Sequence, residues 1–253
     1  MMIIILSPSK TLDLDQSTIK ETFTTPHFQK DASLLMKDLS KIRLKDLEKS
    51  MKLSTELAKT VKRWHMSWGE NSHQCGRAMM GEAFKALDYK SLSKETTNYS
   101  IGRFYVLSGL YGALGGLDGI SPYRLEMAQK FKPYDGSRSL NEFWAKRLPE
   151  FFNNISSKSD IQYLANLASD EYNKVVLRPE LNLDVIDFNF KVETEKGLKN
   201  ISVFAKQARG AMARYILENR IEDLEGLKRF KGLGYRFRKE LSSIHNLTFT
   251  RTR

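Results

Sequence analysis

The tightest constraint on the fold stands at the start of the chain. Residues Met2 to Leu6 read Met-Ile-Ile-Ile-Leu, an unbroken apolar run that stops at Ser7-Pro8-Ser9-Lys10-Thr11. A run this short, rich in β-branched residues and bounded by a turn signal, reads as a buried strand. The polar residues behind it then form a loop at a strand's C-terminal end, where α/β proteins place ligand sites. Arg103 to Leu107 repeats the pattern and leads into residues 108–119, whose five glycines permit tight turns or the close approach of another backbone. A third strand, Ile161 to Leu167, ends in Ala168-Ser169-Asp170-Glu171-Tyr172, with Ser169 as the expected N-cap of a following helix.

Other segments follow the helical period. From Asp31 to Trp64, Leu35, Leu39 and Ile42 share one face, and Leu57, Val61 and Trp64 share another behind the N-cap candidate Ser54. Ser139 and Glu142 form a capping box ahead of a helix with Phe143, Leu148, Phe151 and Phe152 on its apolar side. Ile186, Phe188, Phe190 and Val192 alternate with polar residues, and after a turn at Lys196-Gly197 the stretch Ile201 to Phe204 is expected as the second arm of a hairpin. The sheet is therefore mixed. With no repeat, low-complexity tract or linker, the expectation is one compact α/β domain over residues 1–253, a mixed sheet flanked by helices.

A single cysteine, Cys75, precludes an intrachain disulfide and points to a reducing compartment. The N-terminal apolar run is too short for a signal sequence, and no stretch approaches the roughly 20 apolar residues of a membrane span. The expected location is cytoplasmic, with no membrane partner and a monomeric chain. Lys and Arg number 41 against 30 Asp and Glu, a net charge of +11. Such an excess suits a polyanionic partner, most simply DNA, although solubility or an anionic membrane surface would use it equally.

The helix expected from Lys206 to Arg220 localises part of that charge. At about 100° per residue Lys206, Arg209 and Arg220 share an arc with Arg214 at its margin, opposite Ala208, Ala211, Met212, Tyr215 and Ile216. Guanidinium groups on such a face suit phosphates, as they suit plain solvation. Ser108, Gly109, Tyr111 and Gly112 resemble the turn of a helix-hairpin-helix, in which glycines let backbone N–H groups reach a DNA phosphate. Phe230-Lys231-Gly232-Leu233-Gly234, beside Arg229, Arg236 and Arg238, is a second glycine motif, and either could be a structural turn.

A catalytic reading rests on Asp170 and Glu171, with Lys10, Arg124 and Glu126 as companions from other loops. The same acidic pair would equally serve a helix's first turn. His27, His65, His73 and His245 are scattered, and only His73 and Cys75 stand close, so neither a metal nor a cofactor is expected. Trp64, Trp68 and Trp144 fit a core or a groove wall, while Tyr111 and Tyr123, if exposed, could stack on bases.

Five segments in one order, Ser7 to Leu12, Leu107 to Gly112, Pro122 to Met127, Asn166 to Tyr172 and Ala208 to Arg214, together resemble the YaaA family of bacterial peroxide-stress proteins. The resemblance extends to about residue 237. It implies a YaaA-like α/β fold, a positively charged cleft, DNA binding with a helix-hairpin-helix element, and a part in limiting iron-driven damage during peroxide stress. Residue by residue it points to Lys10, Arg124, Arg209 and Arg214. Relatives usually carry Arg-Pro where Gly115 and Gly116 stand here, which removes a cation from that turn and shifts phosphate binding toward the helix at Lys206.

Two functions follow as expectations. One is a non-enzymatic DNA-binding protein of the oxidative-stress response that takes double-stranded DNA, distorted or branched forms included, with little sequence preference through Lys10, Arg124, Lys206, Arg209 and Arg214. The other is a nucleotide- or base-processing enzyme with Lys10, Arg124 and Asp170 or Glu171 in one pocket. A scaffold or iron-handling protein with incidental DNA affinity is a third.

Overall fold

The computed structural model describes residues 1–14, 23–70 and 72–252. The opening run is strand β1, Met2–Leu6, with every side chain buried. The principal sheet continues with β2 (Phe104–Ser108), β3 (Gly112–Gly115), β4 (Tyr163–Leu167), β5 (Asp184–Thr194), β6 (Gly197–Lys199), β7 (Arg236–Phe237) and β8 (Asn246–Thr252). Their spatial order is β7-β8-β5-β4-β1-β2-β3, with β6 paired to β5. β1 runs parallel to β2 on one edge and to β4 on the other, and β4, β5 and β8 continue the parallel set. β3, β6 and β7 are antiparallel additions, so the sheet is mixed.

A parallel centre must be covered on both faces. Neighbouring residues of β2 show the covering, because successive side chains project to opposite faces. Phe104 stacks on Tyr89 at 5.8 Å, whereas Tyr105 meets Phe151 and Phe152 of the Leu148–Ser159 helix edge-on at 5.4 and 5.5 Å. The Ser202–Glu218 helix packs on β1, β4 and β5.

The first helical stretch resolves into Gln29–Leu39, Leu44–Met51 and Thr55–Met66, with the Ser54 hydroxyl accepting from the Leu57 N–H at 3.4 Å. Leu57 itself is exposed, since Ala58, Val61 and His65 form the buried face. Ser139 caps Leu140–Ala145 by accepting from the Glu142 N–H at 3.2 Å, but the Glu142 carboxylate turns back to the Arg138 N–H, one residue beyond a regular capping box.

Several expectations need correction. The hairpin arm that answers β5 is Gly197–Lys199, because Ser202–Val203-Phe204 already belong to the first turn of the Ser202–Glu218 helix. That helix ends at Glu218, and Arg220 lies beyond it with φ near +49°, its guanidinium over the Tyr99 ring. Ser169 precedes only the single turn Asp170–Asn173 and makes no side-chain cap, since its hydroxyl is engaged with Ser7. Ser108, Gly109, Tyr111 and Gly112 form the turn between antiparallel strands β2 and β3, not a link between helices. The Leu110 and Tyr111 N–H groups donate inward to the buried Ser108 hydroxyl at 3.1 and 3.0 Å, which leaves them nothing to offer a phosphate.

Glycine serves close packing at two places. A Cβ on Gly109 would stand 2.5 Å from the Leu125 carbonyl oxygen, so the β2–β3 turn lies directly on the backbone of residues 125–126. Gly210, inside the long helix, faces the Ala83 carbonyl so closely that a methyl would overlap it. Glycine within a helix costs about 1 kcal/mol relative to alanine, and it is kept here because it lets the Ser202–Glu218 helix rest on Glu82–Leu87. Gly210→Ala gains that propensity but overpacks a rigid backbone contact, at about 1–3 kcal/mol. The clash is expected to win by up to about 2 kcal/mol, lowering Tm by up to roughly 8 °C in a thermal melt given about 2–4 °C per kcal/mol at this size. An unchanged or higher Tm would show that the two helices separate without cost.

Candidate functional site

β1 is followed in sequence by β2 on one side and later by β4 on the other, so connections leave the β1 strand in opposite directions. Crevices outside the carboxyl ends of strands at such a reversal are the common ligand sites of open α/β sheets. A cleft of about 550 Å³ opens there. Its walls come from residues 6–12 after β1, Leu167, Ser169, Glu171 and Tyr172 at the end of β4, residues 123–126, residues 80–85, and Lys206 and Arg209 of the long helix. Hydrogen bonds knit the loops: the Ser169 N–H donates to the Ser7 hydroxyl at 2.8 Å, and Ser7 in turn donates to the Ser169 hydroxyl at 3.2 Å.

Lys10, Arg124, Lys206, Arg209 and Glu171 therefore share one cleft, and Asp170 does not. Adjacent side chains on the turn after β4 diverge. Asp170 lines a second, polar cavity of about 250 Å³ together with Asn166, Asn173, Asp187, Asn189 and Asn246. Arg209 borders both cavities. Burial lowers the Arg209 pKa from its usual value, and the Asp170 charge partly offsets that.

Glu126 organises two of the cleft's cations. Its carboxylate accepts from Lys10 at 2.8 Å and from Arg124 at 3.4 Å. Glu171 accepts from the Ala128 N–H at 3.1 Å. Burial is the main cause that raises the Tyr172 pKa, and the charges of Glu171 and Glu126 add to it while Arg124 opposes, so these groups converge on one hydroxyl. Lys206 and Arg209 differ from Lys10 and Arg124: among the described residues neither has a hydrogen bond or ion pair, although Lys206 helps to hold the Glu82 carboxyl below its usual range. Glu82 itself is fixed mainly by the Gln207 amide, at 2.6 Å.

Arg214 is placed otherwise than expected. Its guanidinium donates to the carbonyls of Leu87 and Asp88 and to the Ser91 hydroxyl at 2.8–3.0 Å, and pairs with Glu218 at 2.7 Å. A cation at the C-terminus of the Glu82–Leu87 helix satisfies carbonyls that lack helical partners, so Arg214 holds structure and does not line the cleft. Arg238 is likewise committed, to Glu193 and Glu240. Tyr111 is fully buried and unavailable for stacking, whereas Tyr123, also buried, lines the cleft floor. Trp144 is core and donates to the Gly109 carbonyl at 2.9 Å. A side chain on Gly116 would overlap the Tyr89 hydroxyl, whereas a Cβ on Gly115 would meet only the Asp118 carboxylate at ordinary contact distance. Among the described residues no three His, Cys, Asp or Glu side chains gather as a metal site. No described helix is long and apolar enough to cross a membrane.

One contributor escaped the sequence reading. His65 is buried behind the cleft, and its Nε2 accepts from the Arg124 N–H at 3.4 Å, which places the ring proton on Nδ1. Among the described residues Nδ1 has no partner, and burial lowers the pKa to about 4. The helical spacing of Ala58, Val61 and His65 was the available signal.

The fold and site define an α/β protein with a cleft lined by charged side chains at a sheet switch point. A family model described as peroxide stress protein YaaA matches residues 2–241. Similar chains include a UPF0246 protein of Clostridium beijerinckii, 38% identical over 99% of this chain and 98% of that protein. Others are a UPF0246 protein of Francisella philomiragia, 36% identical over 99% and 100%, and one of Crocosphaera subtropica, 36% identical over 98% and 99%. The chain belongs to the YaaA family.

His65 yields a pH prediction. Its folded pKa lies below the unfolded value near 6.5, so the unfolded chain binds the extra proton first as pH falls. The stability associated with the neutral ring is complete above about pH 6.5 and is lost as pH falls toward 4, by roughly 2–3 kcal/mol. Denaturant midpoints measured from pH 7.5 to 4.5 are expected to decline less in His65→Gln than in the wild type. Parallel declines would exclude the His65 ring as the source.

Proposed function

We propose that the protein is a DNA-binding member of the peroxide-stress response that limits iron-dependent damage, contacting DNA phosphates through the cleft with little sequence preference. The observation that carries this reading is the pair Lys206 and Arg209, two cations of one helix that line the cleft with no hydrogen bond or ion pair among the described residues. An unpaired guanidinium partly removed from water is costly to keep, and an incoming phosphate relieves that cost. The family match and the net charge of +11 supply the context of peroxide stress and of a polyanion. Lys10 and Arg124, shared with Glu126, contribute less, because Glu126 competes for them.

Affinity for duplex or junction DNA is expected to fall steeply with salt. Each neutralised phosphate contributes about −0.9 to the log–log slope, so the Lys206→Ala, Arg209→Ala double variant should flatten it by about 1.8. No binding at low salt, or a slope that the double variant leaves unchanged, would refute the assignment. Arg214→Ala should lower Tm and leave the slope as it was.

A second reading, a nucleotide- or base-processing enzyme, is favoured by the presence of Glu126 and Glu171 in the same cleft as the cations. Asp170 drops out of that reading because it faces the other cavity. Turnover of nucleosides, nucleotides or damaged DNA that Glu171→Gln abolishes would support it, and the absence of turnover across those classes would end it.

A further inference from the structure

The cleft's volume of about 550 Å³ falls within the range of small-ligand pockets. A compact space of that volume is about 10 Å across, narrower than even the roughly 12 Å major groove of a DNA duplex, so a duplex can lay its phosphates along the rim but cannot enter. The lining also divides into three chemistries. The cations Arg209 and Lys206 come from the long helix, the carboxylates Glu126 and Glu171 come from loops, with Glu126 already paired to Lys10 and Arg124, and the buried Tyr123 and Tyr172 add aromatic surface. A phosphate suits the helix cations. Sugar hydroxyls and base amino groups donate to carboxylates, and a base face packs on aromatic carbon. A bare inorganic anion would gain the cations but also meet two carboxylates.

We propose that the cleft receives one nucleotide unit, with its phosphate on Arg209 and Lys206 and its sugar and base toward Glu126 and Glu171. The proposal rests on the nucleic-acid reading above and deepens it. The unit comes either as a free mononucleotide or as a single nucleotide drawn out of a DNA strand. Extrusion from a paired duplex breaks stacking and pairing and is least costly where the nucleotide is already unpaired, so a bulged duplex should be favoured over a paired one.

Calorimetric titration at low salt tests it, with dAMP, dTMP, deoxyadenosine and inorganic phosphate as probes. In parallel, binding of a paired duplex is compared with the same duplex carrying one bulged nucleotide. The mononucleotides are expected to bind at least tenfold more tightly than the nucleoside or phosphate, and the Lys206→Ala, Arg209→Ala variant to lose at least tenfold. Lys206→Ala alone, at an exposed position, retains the test should the double variant melt early. A tenfold preference for the bulged duplex, lost in the variant, assigns the unit to DNA; mononucleotide binding without that preference assigns it to the free nucleotide. Inorganic phosphate that binds as tightly as dAMP would overturn the proposal. If the paired duplex binds with a steep salt slope while neither mononucleotide nor bulge does better, the one-nucleotide site fails and the DNA reading survives. If no nucleotide and no DNA binds, both fail.

Discussion

The cleft exists because β1 is hydrogen-bonded along both edges to parallel strands. Ile4 to Leu6 pair with Phe104 to Val106, and the full length of β1 pairs with residues 163–167. A strand held this way must be apolar on both faces, which is why residues 2–6 carry no polar side chain. It ends level with β4, Leu6 beside Leu167, so the loops after β1 and β4 emerge side by side and the Ser7–Ser169 hydrogen bonds can join them. The turn after β2 is brought to the same rim by Gly109, which lets residues 125–126 lie against it and carries Arg124 and Glu126 into place.

On that frame the charges divide by partner. Glu126 holds Lys10 and Arg124 in defined positions, at the cost of their availability. Lys206 and Arg209 are positioned by the helix instead: the Gly210 contact with Ala83 sets the helix depth, and Gln207 anchors to Glu82 on the adjoining turn. Three consecutive turns of one helix thus supply an unpaired cation pair at one end and, through Arg214, the cap of the Glu82–Leu87 helix at the other. Anion affinity is expected from the first pair, not from the helix as a whole.

Much of this was legible in the sequence. The strands at 2–6, 104–108 and 163–167 announced themselves as apolar runs, and Lys10, Arg124 and Arg209, which line one cleft, were named together by the resemblance to the YaaA family. What was not legible depended on tertiary contact. The Ser202–Glu218 helix is buried on most of its circumference, with Ala205, Ala208, Met212, Ala213, Ile216 and Leu217 all inside, so periodicity could not separate the free cations from Arg214. Asp170 and Glu171 are adjacent, yet only a three-dimensional turn sends them to different cavities. The glycine turn at residues 108–112 looked like a helix-hairpin-helix because glycine serves backbone approach to a phosphate and to a neighbouring chain segment alike.

A crystal structure of the protein soaked with dAMP tests the assignment of Lys206 and Arg209 most directly. The expected result is phosphate density within hydrogen-bond distance, about 2.7–3.2 Å, of the Arg209 guanidinium and the Lys206 ammonium. Ordered nucleotide elsewhere on the surface with the β1 cleft unfilled would contradict the account.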